Sequence, residues 1–195
     1  MTQPAPRSVI LWLLVVAAMI FAMAVIGAVT RLTDHGLSII EWAPFLGSLP
    51  PLSEAEWQRL FDLYRQIPEY QLENAGMTLA QFREIFWWEW IHRLWGRLIG
   101  LVFLLPFLWF LWRRRLPGWF RPHGWALLVL GGAQGALGWF MVASGFAERT
   151  DVSQYRLAAH LGLALALYGY ALWMACRLAW PAPAAVPAAR GLRGG

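Results

Sequence analysis

The segment Phe86-Trp87-Trp88-Glu89-Trp90-Ile91-His92-Arg93-Leu94-Trp95-Gly96-Arg97 sets a carboxylate and an imidazole, Glu89 and His92, three residues apart among two arginines and four tryptophans. On a helix, residues at that spacing share one face. The segment lies where a polar region gives way to a long apolar run. Ionisable groups are costly to hold at a membrane boundary, so they mark functional sites there by default. Glu89 has two readings. As a structural group it accepts a hydrogen bond from His92 or an arginine. As a chemical group it stabilises developing positive charge, or moves a proton in a water-poor site.

A second histidine gives His92 a partner. His160 lies 17 residues before Arg177, and His92 lies 21 before Arg113. At about 1.5 Å per helical residue the two sit within about one turn of the same height. On the second and fourth helices of an up-down four-helix bundle they would face each other across the core. Such a pair can hold a haem by axial ligation. The competing reading is two buried histidines hydrogen-bonded to helix backbones. A zinc site needs three or four ligands and finds few candidates here. His35, in the outer loop, and His123, beside Pro122, read as solvated polar residues. Arg31, Arg93 and Arg97 share the outer boundary. Their planar forks suit carboxylates, so haem propionates are candidate partners, alongside Glu41, Glu84 and headgroup phosphates. Trp87, Trp88, Trp90 and Trp95 form an interfacial aromatic belt, and some could wall a planar cofactor.

The elements that must position these groups are transmembrane helices. The chain has 195 residues, 59% of them hydrophobic and only 14% charged, a balance that excludes an ordinary soluble domain. Its net charge of +5 comes from arginine without lysine, and the arginines flank apolar runs. That distribution suits membrane topology rather than nucleic acid. Cys176, the single cysteine, forms no internal disulfide and reads as a small packed hydrophobe.

Spans are predicted at about 9–29, 86–112, 125–146 and 155–178, in one domain over 1–180, with a disordered tail at 181–195. The first apolar run exceeds the roughly 7–15 residues of a signal-peptide core and is read as uncleaved. Ser53-Glu54-Ala55-Glu56 resembles a capping box, predicting a surface helix over about 54–66 whose Trp57, Leu60, Phe61 and Tyr64 dock onto the bundle end. Thr78 and Gln81 mark another helix start, predicting a helix from Leu79 to about Trp112, roughly 50 Å long. Its first turns should stand outside a hydrocarbon core of about 30 Å. Pro106 is a candidate kink. Gly131, Gly132, Gly135 and Gly138 read as close helix packing. Arg113, Arg114, Arg115 and Arg121 crowd one short loop, so that side is predicted to be cytoplasmic. Both termini are then inside, with 30–79 and 147–154 outside. The expected class is all-α: a polytopic four-helix up-down bundle with an extended outer loop.

Several motifs then occur in order: Gly27-Ala28-Val29-Thr30-Arg31-Leu32-Thr33, Gly36-Leu37-Ser38-Ile39, Glu41-Trp42, Pro50-Pro51-Leu52, Pro68-Glu69-Tyr70, Trp88-Glu89-Trp90-Ile91-His92-Arg93 with Gly96-Arg97, Asp151-Val152, Tyr155-Arg156-Leu157-Ala158 and His160-Leu161-Gly162. Together they resemble haem A synthase, in its proteobacterial and mitochondrial branch, over roughly residues 10–175. The resemblance implies oxidation of one methyl group of haem O to a formyl group, making haem A for cytochrome oxidase in the bacterial inner membrane. It implies a fold of two similar four-helix halves, each with one histidine pair. His92 and His160 match the pair assigned to the substrate haem, and the glutamate matching Glu89 is thought to assist the chemistry. The other half would hold haem b. Haem O synthase and an electron donor are implied partners. The chain matches the first half only, so it is expected to be either truncated or a half-length form that homodimerises. It lacks the outer-loop cysteine pair of some branches, and His35 stands where a small polar residue is expected. Two further readings stay open: a b-type haem protein that transfers electrons without modifying its haem, and a structural membrane subunit.

Overall fold

The computed structural model describes residues 6–32, 37–41, 49–146 and 151–180. Among these there is no β-strand. Four helices are long and apolar enough to cross a membrane. They are α1 (Arg7–Leu32), α4 (Leu79–Trp112), α5 (Phe120–Val142, continued by a 3-10 turn at Ala143–Gly145) and α6 (Gln154–Ala179). Two short helices precede α4: α2 (Glu54–Tyr64) and α3 (Pro68–Leu72). The protein is therefore an all-α polytopic membrane protein. Around the bundle α1 packs on α4 and α6, and α5 on both of the latter, which leaves α4 and α6 on a diagonal.

The start of α4 is fixed locally. The Thr78 side chain accepts from the Gln81 amide, and the Gln81 side chain accepts from the Thr78 amide at 2.9 Å, a complete capping box. The helix then continues through Pro106. Proline has no N–H for the carbonyl four residues earlier, that of Val102. The Trp12 indole of α1 donates to that carbonyl at 2.8 Å. Trp12 also lies against Phe103, Phe107, Phe110 and Phe120, with ring centroids 5.0–6.5 Å apart. These rings, with Leu13, Leu127, Leu167 and Met174, form a core confined to the end of the bundle at the α4–α5 connection, the end predicted to be inner.

A second core caps the outer end. Ser53 accepts from the Glu56 amide, but the Glu56 carboxylate pairs with Arg59, so only half of the predicted capping box forms. The helix ends at Tyr64, two residues earlier than expected. Trp57, Phe61 and Tyr64 are buried, together with Phe82, Ile85 and Phe86 of α4, while Leu60 is only partly covered. Arg59 also binds Glu41 at 2.8 Å, and that hydrogen bond holds the Glu41 carboxyl below its usual range. Tyr64 donates to the Glu69 carboxylate at 3.0 Å; burial and that neighbouring charge push its phenol up.

Three expectations are corrected. Gly131, Gly132 and Gly135 do not mediate packing, since a Cβ on any of them would meet no neighbouring atom within 4 Å. α5 makes its tight contacts at Gly124, against Phe107, and at Gly138. Cys176 is exposed rather than packed. His123 is not simply solvated: its Nδ1 lies 2.6 Å from the Tyr170 hydroxyl, and its ring contacts Trp119 and Trp173. The predicted tail, His35 and residues 147–150 of the 147–154 loop lie outside the described residues.

Candidate functional site

Glu89 lies on α4 just below the outer core and is only 3% exposed. One carboxylate oxygen accepts from the Ser38 hydroxyl at 2.7 Å and from the Ile39 amide at 2.9 Å. The other accepts from Arg93 at 2.6 Å. Arg93, one turn further along α4, also donates to the carbonyls of Ile39 (2.5 Å) and Glu41 (3.2 Å), and lies over the Trp139 ring. The pair thus clasps the 37–41 segment to α4 with charge-assisted hydrogen bonds. Of the two readings of Glu89, the geometry displays the holding role, and it also keeps the carboxylate fixed three residues from His92.

The two histidines are seated alike. His92 lies against α1 at Gly27, where a Cβ would come within 3.1 Å of the imidazole Nε2. His160 of α6 lies against α5 at Gly138, where a Cβ would come within 2.9 Å of Cε1. Each ring therefore occupies space that a glycine on the next helix leaves free. The two rings belong to the diagonal helices α4 and α6.

Around them the apolar packing of the bundle is only partial. Among the described residues, no apolar side chain is buried at 21–29 of α1, 91–101 of α4, 129–142 of α5 or 154–162 of α6. This layer, roughly 15 Å deep at a helical rise, separates the inner core from the outer one. Thr30, buried just beyond it, turns its hydroxyl back onto the Ile26 carbonyl. Natural interiors are normally close-packed. This layer is more loosely packed and carries two imidazoles on diagonal helices, a donor set of the kind that ligates haem iron. Among the described residues, no three His, Cys, Asp or Glu side chains come together as a metal cluster would require.

Residues 10–195 match the family model described as cytochrome oxidase assembly protein, COX15-CtaA. The chain belongs to that family. A relative from Rhodospirillum centenum, named "Heme A synthase", is 60% identical over 189 residues, covering 97% of this chain and 50% of its own length. Relatives of the same name from Rhodopseudomonas palustris (strain TIE-1) and Parvibaculum lavamentivorans are 57% and 58% identical, over 93% and 86% of this chain and 49% and 48% of their own. The chain spans about half the length of the curated relatives it matches. No solved structure matches it.

Of the predicted site residues, the structure brings Glu89, His92, Arg93 and Arg97 onto successive turns of α4 and sets His160 diagonally opposite. Arg97 is half-buried, within electrostatic reach of Arg93. The Arg31 side chain lies outside the described residues, although its backbone is in the last turn of α1. The tryptophans divide. Trp87 and Trp88 are exposed as a belt requires, while the Trp95 indole donates to the Met19 carbonyl at 2.9 Å and ties α4 to α1. Three residues at the site give no signal through charge or histidine spacing: Gly27, Gly138 and Gln134. Gln134 is the most legible of them, being a polar amide within an apolar span, where such groups bond between helices.

Proposed function

We propose that this chain is the substrate-haem half of a haem A synthase. In this reading it oxidises a haem O methyl group to the formyl group of haem A for cytochrome oxidase. The observation that supports it most is the pair His92 and His160 on diagonal helices, each seated against a glycine of the next helix. The name carried by its relatives points the same way.

The two imidazoles bind and centre the substrate haem. Arg97 and Arg31 take the propionates, and Arg93 joins them to the extent that its donors to the 37–41 segment allow. Glu89 keeps that segment closed over the outer side and holds a carboxylate near the reacting edge, where it stabilises positive charge developing at the oxidised carbon. The outer core excludes water from above. A second four-helix unit supplies a haem b, either from a longer polypeptide or from a second copy of this chain. Haem O arrives from its synthase, and an electron donor completes the partners. In this reading the protein lies in the bacterial inner membrane with both termini cytoplasmic, an orientation that the arginines of the 113–121 loop support.

The test is haem retention in the purified protein, followed by extraction and identification of the haem side groups. His92→Leu and His160→Leu should each lose haem. The wild type should carry haem O or its oxidised products when produced with a haem O source. Unchanged haem in both variants would overturn the ligand assignment. Haem b alone in the wild type would mark an electron carrier instead.

A further inference from the structure

Gln134 lies on α5, one turn before Gly138, so both residues present the same face to His160. Its amide nitrogen donates to the His160 backbone carbonyl at 3.0 Å and lies 3.2 and 3.3 Å from the two ring nitrogens. Its amide oxygen is buried without a hydrogen-bond partner. A buried polar atom left in that state costs about 1–3 kcal/mol and calls for an explanation.

The chemistry of a ligating imidazole supplies one. A histidine that gives Nε2 to a metal carries its proton on Nδ1, and that N–H is almost always donated to an oxygen. In this layer the unpartnered oxygen beside the ring is Oε1 of Gln134. The terminal amide torsion of glutamine is broad and soft. A half-turn about that torsion exchanges the two ends of the amide, setting the oxygen where the nitrogen now lies, 3.2 Å from Nδ1, in place of the bond to the His160 carbonyl. We infer that Gln134 is the positioning residue of His160, accepting the Nδ1 proton and so presenting Nε2 to the iron of a bound haem. The inference rests on the haem-binding reading above and extends it to a residue outside the ligand pair.

Two consequences separate this role from simple packing. The hydrogen bond fixes the ring plane, with Gly138 leaving room at its Cε1 edge. It also pushes electron density through the imidazole onto the iron, which favours the ferric state. A residue that merely filled space would alter protein stability and leave the potential alone.

The experiment titrates ferric iron protoporphyrin IX into the purified full chain in detergent and measures affinity, the low-spin bis-imidazole spectrum and the midpoint potential. Gln134→Leu should weaken binding about 10–100-fold, as the loss of an outer-shell partner does, and should raise the potential. Gln134→Glu, which keeps an acceptor oxygen of the same reach, should restore affinity and return the potential to the wild-type value or below. Equal affinity and equal potential in wild type and Gln134→Leu would overturn the inference and leave haem binding intact. A weakened Gln134→Leu with an unshifted potential would also overturn it, assigning the residue to packing. A wild type that is helical yet takes up no porphyrin would overturn the haem-binding reading, and this inference with it.

Discussion

Breaking the clasp between α4 and the 37–41 segment should cost the same whichever of its two charges is removed. Glu89 and Arg93 are 4% and 19% exposed at their side chains, so water screens their 2.6 Å contact little. Glu89→Ala deletes acceptors for Arg93, Ser38 and the Ile39 amide together. Arg93→Met keeps the stem but deletes donors to Glu89 and to the carbonyls of Ile39 and Glu41. Removing one partner of a buried pair strands the other charge, at about 3–5 kcal/mol. Each single variant should therefore lose about that much. In the double variant no stranded charge remains, so the loss should fall below that of either single variant. Stability is read from reversible unfolding in mixed detergent micelles, and protease cleavage after residue 37 reports the release of the segment. Losses that add to within about 0.5 kcal/mol would refute the reasoning, because independent sites add and coupled ones do not.

Two further outcomes follow from the same geometry. Gly138→Ala places a methyl group 2.9 Å from the His160 ring, whereas Gly132→Ala meets open space. Overpacking costs about 1–3 kcal/mol, while alanine gains up to about 1 kcal/mol of helix propensity. Gly138→Ala should thus weaken porphyrin affinity about tenfold with little net change in helix stability, and Gly132→Ala should leave affinity unchanged. Equal affinities in the two variants, measured by absorbance titration, would refute this. Trp12→Phe should destabilise the bundle by about 1–3 kcal/mol by leaving the Val102 carbonyl unpartnered. Adding Pro106→Ala, which restores an N–H to that carbonyl, should recover part of the loss in the same unfolding assay.

Much of the frame was legible because its causes are local or periodic. The capping pair at Thr78 and Gln81 sets where α4 begins, and the length of each apolar run sets where a helix can span. The matched heights of His92 and His160 could be read from the chain, because helical rise converts sequence distance into height, and their helices do stand on a diagonal. What stayed hidden depends on which helix neighbours which. Gly27 and Gly138 resemble their neighbours in the chain, and only the arrangement of helices shows that they seat imidazoles while Gly131, Gly132 and Gly135 seat nothing. Ser38 is one of many loop hydroxyls until the outer segment folds back onto Glu89. His123 follows a proline and has the sequence context of a loop residue, yet it is held between aromatic rings by the adjacent helix.

The bond from Trp12 to the Val102 carbonyl also bears on how the protein is made. Translation delivers α1 to the membrane before α4 exists. When α4 enters hydrocarbon, the carbonyl bared by Pro106 has no water to turn to, and such a group costs several kcal/mol in lipid. Its acceptor site would be a fault in a helix inserted alone. Because α1 is already in place, the second span enters beside a waiting donor, and the mutual fit of indole and carbonyl selects the depth at which the two helices come to rest. The proline thus gives the growing chain a registration mark, matched by a residue synthesised about ninety positions earlier.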